Sequence, residues 1–408
     1  MAYMRTLWAL LVLKISLAMS SAAEGRPNRY HLPAESSQHA GTIMTWPTAH
    51  SIFTPSWSYS AANVTATRLE LANLITSIAQ YEPVQVFVRD PASYSNNVND
   101  ACGYESAHRL LKGHPNVTLH TSTNVDSLWS RDNGALFAYT VNGQKVNNTW
   151  YSHDDPGVGF ERTDTSSSVV GLVLSFDQWG RKLPPSPESY MAADETQRMG
   201  LSSVLAPFVG EGGAIEVDGE GTLIATESSL LNPNRNPGVT KARMEGYFFE
   251  MFGVAKTIWI PGFRGYDITD DHIDGLVRFG GLTADGKRTV FVDRPYVAPN
   301  ATRKERENAL SDYNPCMRIL GASTDAKGRE FNIVVLQEPD PKIVLGKNYD
   351  PASGPSVAYV NFHVVNGAVM LSKFGDAQAD NEAARLVAEN MPGRTVVQVY
   401  THQLAIQG

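Results

Sequence analysis

Residues Asp267 to Asp274, Asp-Ile-Thr-Asp-Asp-His-Ile-Asp, put four carboxylates and one imidazole into a short stretch of chain. A histidine can pass a proton near neutral pH, and carboxylates beside it can hold a cation. The same residues would also suit an acidic surface loop or a divalent-metal site, and the segment alone leaves all three readings open. An apolar run, Thr257 to Ile260, ends at Pro261-Gly262 ahead of it, and Gly275 to Phe279 follows. That setting reads as a loop feeding a strand, with His272-Ile273-Asp274 as the first strand residues. Alternation along a strand would then put His272 and Asp274 on one face.

Four other stretches carry residues of chemical interest. Trp129-Ser130-Arg131-Asp132-Asn133-Gly134 sets an acid beside a turn, and Glu211-Gly212-Gly213-Ala214 sets one before a glycine pair where backbone can approach a ligand closely. Leu231-Asn232-Pro233-Asn234-Arg235-Asn236-Pro237 is a polar loop fixed by prolines, and Met44-Thr45-Trp46-Pro47 offers an aromatic plane. Each also has a plain structural reading: Arg131-Asp132 as a surface ion pair, Glu211 as a loop acid, Trp46 as a core aromatic.

These residues need a scaffold, and the chain alternates short apolar runs with helical patterns. Gly41 to Pro47, Val84 to Val88 and Val117 to His120 read as strands. Thr65 to Gln80 carries a helical stripe through Leu69, Ala72, Ile75, Ile78 and Ala79, and Ala107 to Lys112 is a short helix. The rhythm returns in strands Ala214 to Glu216, Thr222 to Thr226, Thr257 to Ile260, Leu276 to Phe279 and Thr289 to Val292, with Lys241 to Phe252 helical between them. Arg303 to Leu320 reads as a helix interrupted before Pro315, and Phe331 to Leu336 as a strand. Strands Val357 to Val365, Val369 to Ser372 and Thr395 to Tyr400 enclose a helix from Asp380 to Asn390. A mixed strand–helix unit thus recurs roughly every 60 to 90 residues, which argues one continuous α/β core rather than separate domains. The polar stretch from Asp154 to Ser168 is expected to be a loop.

Composition sets limits on partners. The 408 residues are 42% hydrophobic and 19% charged with a net charge of −8, which disfavours nucleic acid and mildly favours cationic ligands. Residues Leu7 to Met19 are apolar but for Lys14 and Ser16. Arg5 precedes them and Ser20-Ser21-Ala22-Ala23 follows, which is the layout of a secretory signal peptide over residues 1–23, with residues 24–408 as the exported domain. Sequons at Asn63, Asn116, Asn147 and Asn300 are compatible with that address. No apolar run is long enough for a transmembrane helix. Two cysteines, Cys102 and Cys316, do not make a disulfide scaffold.

Taken in order, Met-x-Trp-Pro, Trp-x-Arg-Asp-x-Gly, Glu-Gly-Gly, the Asn-Arg-Asn-Pro loop, Asp-x-Thr-x-x-His-x-Asp and Tyr359-Val360-Asn361-Phe362 resemble the agmatine deiminase and bacterial-type peptidylarginine deiminase family. The resemblance runs from about Pro33 to Gly408. It implies a five-bladed pseudo-symmetric α/β propeller, the pentein fold, around an acidic pocket. It implies hydrolysis of a guanidinium to a ureido group with loss of ammonia, linked to putrescine biosynthesis where the substrate is agmatine. On these terms Asp132, Glu211 and Asp274 grip the guanidinium, Trp46 lines the substrate site, and His272 is general acid and base. Neither metal nor organic cofactor is implied, and the expected partner is a small guanidino compound or an arginyl peptide.

The resemblance also implies a cysteine nucleophile, in a Gly-Gly-Gly-x-x-His-Cys segment expected just beyond Gly408. Cys102, in a polar loop with acids, and Cys316, on a helix, read as poor substitutes. Two readings follow: a deiminase completed by residues after Gly408, or a non-catalytic secreted binder of guanidinium compounds. The family's proline after Gly134 is Ala135 here, a change expected to touch loop stiffness more than chemistry.

Overall fold

The computed structural model describes residues 28–52, 60–93, 101–141, 168–346 and 357–406. The expected leader, the sequon at Asn147 and the polar stretch 154–168 apart from Ser168 lie outside them. Five small sheets make up the fold. After the two-residue strand β1 (Tyr30–His31), the first blade is β2 (Thr42–Trp46), β3 (Val84–Arg89) and β4 (Val117–Ser122), all parallel. Helices α1 (Ala61–Ile78) and α2 (Tyr104–Leu111) make its crossovers. The second blade adds β5 (Leu136–Thr140), β6 (Val169–Val173) and β7 (Ser202–Leu205), with helix α3 (Met191–Arg198) between the last two and β1 at its edge.

The remaining blades repeat one pattern: an antiparallel pair, then a helix, then a parallel third strand. They are β8 (Glu216–Val217), β9 (Thr222–Thr226), α4 (Lys241–Phe252) and β10 (Lys256–Ile260); β11 (Val277–Leu282), β12 (Arg288–Arg294), α5 (Tyr313–Gly321) and β13 (Phe331–Gln337); and β14 (His363–Val365), β15 (Ala368–Lys373), α6 (Ala377–Asn390) and β16 (Thr395–Tyr400). This is a five-bladed α/β propeller.

Alternation along the middle strands welds the blades into a ring. In β9, Leu223 and Ala225 join a core with Tyr30, Leu172, Met244 and Phe248 of the second and third blades, while Ile224 joins Ile258, Val277, Val292 and Leu320 of the third and fourth. In β12, Phe291 turns to the fifth blade and Val290 and Val292 to the third. In β15, Ala368 and Met370 close the ring against Trp46, Ile75 and Val86 of the first blade. A strand buried on both faces needs apolar side chains at every position, which is why Thr222 to Val292 reads as short apolar runs instead of strict alternation.

The helices obey local signals. Helix α4 starts at Thr240, whose Oγ1 accepts the Arg243 N–H at 3.3 Å, and stops at Gly253, which takes φ 71°. Met244, Phe248, Met251 and Phe252 make its buried stripe. Such a cap contributes about 1 kcal/mol.

Several expectations need correction. His272-Ile273-Asp274 is no strand: Ile273–Gly275 forms a 3-10 turn and β11 starts at Val277. Ala214 likewise ends a 3-10 turn, and β8 starts at Glu216. Only His363–Val365 of the run from Val357 is strand, since Val357 to Phe362 are buried but for Asn361 without ladder pairing. The helical stretch after Arg303 is two helices, Arg303–Ala309 and α5, with Pro315 in the first turn of α5, where it costs no hydrogen bond.

Candidate active site

Three of the site segments stand at equivalent places, just ahead of the first antiparallel strand of a blade. Ser130–Asn133 precedes β5, Gly212–Ala214 precedes β8, and Ile273–Gly275 precedes β11. Asp132, Glu211, His272 and Asp274 thereby converge although they lie far apart in sequence. His272 Nε2 lies 3.3 Å from Glu211 Oε2, and His272 Nδ1 lies 3.6 Å from Asp132 Oδ1. A Cβ placed on Gly213 would lie 2.7 Å from Asp132 Oδ1, Asp274 Oδ2 and His272 Nδ1 alike. Glycine there lets the backbone come right up to two carboxylates and an imidazole, and a side chain at this position would collide with all three. Gly212 is needed for a different reason, since a Cβ on it would strike the Arg131 carbonyl.

The Asp-x-Thr-x-x-His spacing is a chain of hydrogen bonds. Asp267 Oδ1 accepts from the Thr269 N–H, the Thr269 hydroxyl and the Asp271 N–H at 2.8, 2.7 and 3.1 Å, and Thr269 Oγ1 accepts the His272 N–H at 3.1 Å. Asp270 and Asp271 both take left-handed conformations, φ 63° and 70°, immediately before the histidine. Such strain persists only where surrounding bonds over-determine it. Here Asp270 accepts from the Gly265 N–H, Lys182 and Arg235.

The four acids and bases differ in exposure and partners. Asp132 Oδ1 accepts the Gly213 N–H at 3.1 Å and its Oδ2 the Trp179 indole N–H at 2.8 Å. Glu211 is wholly buried, and Arg235 Nε donates to both its oxygens at 2.7 and 3.0 Å. Burial works to raise the Glu211 carboxyl, but His272 and Arg235 outweigh it and hold it below its ordinary value. Asp274 is half-buried. Burial raises its carboxyl against the pull of His272, Arg131 and Arg278. For His272, burial disfavours the charged ring, but Asp132, Glu211 and Asp274 win and lift it to about 9. The site at neutral pH is therefore an imidazolium clasped by carboxylates.

Trp46 is placed elsewhere, contrary to the sequence expectation. It is fully buried among Leu71, Ile75, Val86 and Ala107, with its indole N–H donating to Ser106 Oγ at 3.2 Å. Its neighbour Pro47 points the carbonyl at Arg68, so Met-x-Trp-Pro is a core and turn device. Trp179 does reach the site and sequence reading missed it. It lies in a run of left-handed residues, Gln178 to Arg181, edge-on to Trp129 at 6.5 Å. No local sequence pattern marks such a segment, and only its polar contact with Asp132 reveals its use. At Ala135 the chain gains a bond that proline could not make, from its N–H to Glu195 Oε2 at 2.9 Å.

The two cysteines stand in other surroundings. Cys316 lies on the buried face of α5, where burial, with Asp271 and Asp312, pushes its thiol to about 12. Cys102 precedes α2, next to the glycine that packs on Trp46. Among the described residues, the trio with ligand atoms close enough for a metal ion is Asp218, Glu220 and Asp325. Glu220 is already bonded to Arg288, Lys327 and Arg329, and Asp325 to Arg329.

With this geometry in view, comparison with known proteins is decisive. The model of the Porphyromonas-type peptidyl-arginine deiminase family matches residues 31–408. The chain belongs to that family. A relative from Selenomonas ruminantium, named "Putative agmatine deiminase", is 29% identical over 399 residues, covering 93% of each chain. The fold is shared with the agmatine deiminase of Enterococcus faecalis, at a TM-score of 0.69, 22% identity and 93% coverage of both chains. It is shared also with a solved structure described as "C. Jejuni Agmatine Deiminase", at a TM-score of 0.63 and 17% identity, covering 93% of this chain and 92% of that one. In this chain, the motifs around Asp132, Glu211 and His272 are the turns that build the cluster.

Proposed function

We propose that the protein hydrolyses a guanidinium, that of agmatine first and of peptidyl-arginine second, to a ureido group with release of ammonia. The observation that carries this reading is the convergence of Asp132, Glu211, Asp274 and His272 around the Gly213 backbone. A guanidinium is a planar cation whose N–H groups pair with carboxylates in parallel. Asp274, half-buried, and Asp132 would take those N–H groups, while Glu211, held by Arg235, orients His272 instead of gripping substrate.

The guanidinium carbon is a poor electrophile, so the reaction calls for a thiolate that attacks it and forms a covalent amidino intermediate. The His272 imidazolium hands its proton to the leaving nitrogen, which departs as ammonia. Water then adds to the same carbon and gives its proton to His272, and the thiolate leaves with the ureido product free. Cys316 is a buried thiol and Cys102 sits beside the Trp46 core, so the nucleophile tested is the cysteine of the Gly-Gly-x-x-His-Cys segment that the family resemblance implies. With agmatine as substrate the product would lie on a route to putrescine.

The test compares the 408-residue chain with the same chain extended by Gly-Gly-x-x-His-Cys, assayed for ammonia and ureido product from agmatine and from an arginyl peptide. The extended chain is expected to turn over and the shorter one only to bind, since loss of a nucleophile costs on the order of a million-fold. Ammonia release by the shorter chain, abolished by Cys102→Ala or Cys316→Ala, would refute the assignment. Binding without turnover by either chain would favour a non-catalytic guanidinium binder.

A further inference from the structure

The Asn-Arg-Asn-Pro loop enters the chemistry above only through Glu211, yet its cation Arg235 also bonds the turn that carries His272. The Arg235 side chain is fully buried. Its Nε donates to both oxygens of Glu211, its Nη1 to Asp270 Oδ2 at 2.7 Å, and its Nη2 to the Thr269 carbonyl at 2.9 Å. One planar fork thus ties the turn before β8 to the strained turn before β11. Both turns end on His272: Glu211 through its contact with Nε2, and Asp270 as the residue two places earlier in the chain.

The loop is itself fixed. Asn236 Nδ2 donates to the Val209 and Leu230 carbonyls at 2.7 and 2.9 Å, and its Oδ1 accepts the Val209 N–H at 3.0 Å. Asn234 packs over Gly180, in the segment that delivers Trp179 to Asp132. We propose that Arg235 is a positioning residue for His272, holding Glu211 in place against the imidazole and locking the left-handed pair Asp270-Asp271 that aims it. The inference rests on the deiminase reading for its kinetic consequence, but not for its structural one.

The geometry separates this role from substrate binding. Arg235 bonds neither Asp132 nor Asp274, so the two carboxylates assigned to the guanidinium keep their partners when it is changed. A lysine retains the charge but presents one point donor in place of a fork, and cannot serve Glu211, Asp270 and the Thr269 carbonyl together. Misplacing a catalytic group by about 1 Å is enough to cost roughly a hundredfold in rate. The groups that set the charge around His272 are Asp132, Glu211 and Asp274 directly, with Arg131 beyond Asp274, and with Arg235, Asp177, Asp270 and Lys182 around Glu211. Without Arg235 Glu211 loses its bidentate donor and the turn before His272 loses its tie to Asp270.

The experiment uses Arg235→Gln and the milder Arg235→Lys, with agmatine affinity measured by calorimetry, turnover in the Cys-extended chain, and His272 titration followed by NMR in the 408-residue chain. For Arg235→Gln, kcat should fall about a hundredfold. Agmatine affinity should stay within about threefold, and the His272 midpoint should move away from about 9 as Glu211 and the imidazole shift against each other. Arg235→Lys, the fallback should the first variant not fold, is expected to show the same split with a smaller fall in kcat. Unchanged kcat and an unchanged His272 midpoint would overturn the proposal, as would parallel loss of affinity and turnover. A wild-type extended chain that fails to turn over counts against the deiminase reading alone, because the His272 titration still decides the role of Arg235.

Discussion

At the scale of residues, the site is a contest between burial and charge that charge wins at His272. Three carboxylates lift the imidazole from 6.5 to about 9, whereas burial alone would lower it. A group whose folded value is raised stabilises the protein fully below its unfolded value and loses that contribution as pH climbs through the folded one. For His272 the window runs from about 6.5 to about 9, and the contribution is on the order of 3 kcal/mol. Buried Glu195, raised to about 8 by desolvation, acts in the same direction, with its loss beginning near 4.5. Urea unfolding should therefore give lower stability at about pH 9.5 than at about pH 6, and His272→Gln should flatten the alkaline part of that fall. A stability that is level across this range would show that the carboxylates do not hold the ring charged.

At the scale of elements, turns do the positioning, and one glycine tests that directly. Gly213→Ala puts a methyl group against Asp132, Asp274 and His272. It should weaken agmatine binding by more than about tenfold, roughly the loss of one charged hydrogen bond. Gly246→Ala, on the exposed face of α4 with nothing near its Cβ, should leave binding alone and stabilise the helix by about 0.5–1 kcal/mol. Equal effects of the two changes would contradict the site. The same distinction explains what the sequence made legible. Apolar runs such as Thr222 to Thr226 and the stripe of α4 name their elements because burial dictates them. Asp132, Glu211, His272 and Asp274 are legible only through the family resemblance of their ordered motifs, since each segment taken singly also suits a plain structural role. Trp46 misled because an aromatic beside proline looks the same in a core as in a pocket. The reading passed over β5, β6, β7 and α3, since Val169 to Val173 is a short run that carries no period. Arg235 was visible as a motif residue, but its role lies in bonds to Glu211 and Asp270, which no sequence spacing encodes.

At the scale of the whole molecule, a segment from before the first blade ties other blades of the propeller together. Glu35 bonds Arg131 at 2.7 Å, Arg278, and His363 Nδ1 at 3.2 Å, joining the approaches or strands of three blades. Burial would raise its carboxyl, but Arg131, Arg278 and His363 hold it well below the ordinary range. Arg278 is 1% exposed and lies over the Phe362 ring at 5.5 Å, so it has no route to water. Removing one partner of a buried ion pair costs about 3–5 kcal/mol, because the other charge is left behind. Glu35→Ala should accordingly destabilise the fold by about 3 kcal/mol, given that the Glu35 side chain is 21% exposed. A change below about 0.5 kcal/mol in denaturant unfolding, the scale of an ordinary surface substitution, would mean the ring closes without it. Because Arg131 also faces Asp274, this tie reaches the acidic cluster around His272.

The central claim, that Asp132 and Asp274 over Gly213 make a guanidinium site, can be tested without any nucleophile. Agmatine titrated calorimetrically into the 408-residue protein at neutral pH should bind one to one. Asp132→Asn and Asp274→Asn should each weaken that binding at least about tenfold, as expected for a charged hydrogen bond worth roughly 1.5–3 kcal/mol. Trp46→Phe, a change in the core of the first blade, should leave it in place. No binding, or binding indifferent to both aspartates, would contradict the account.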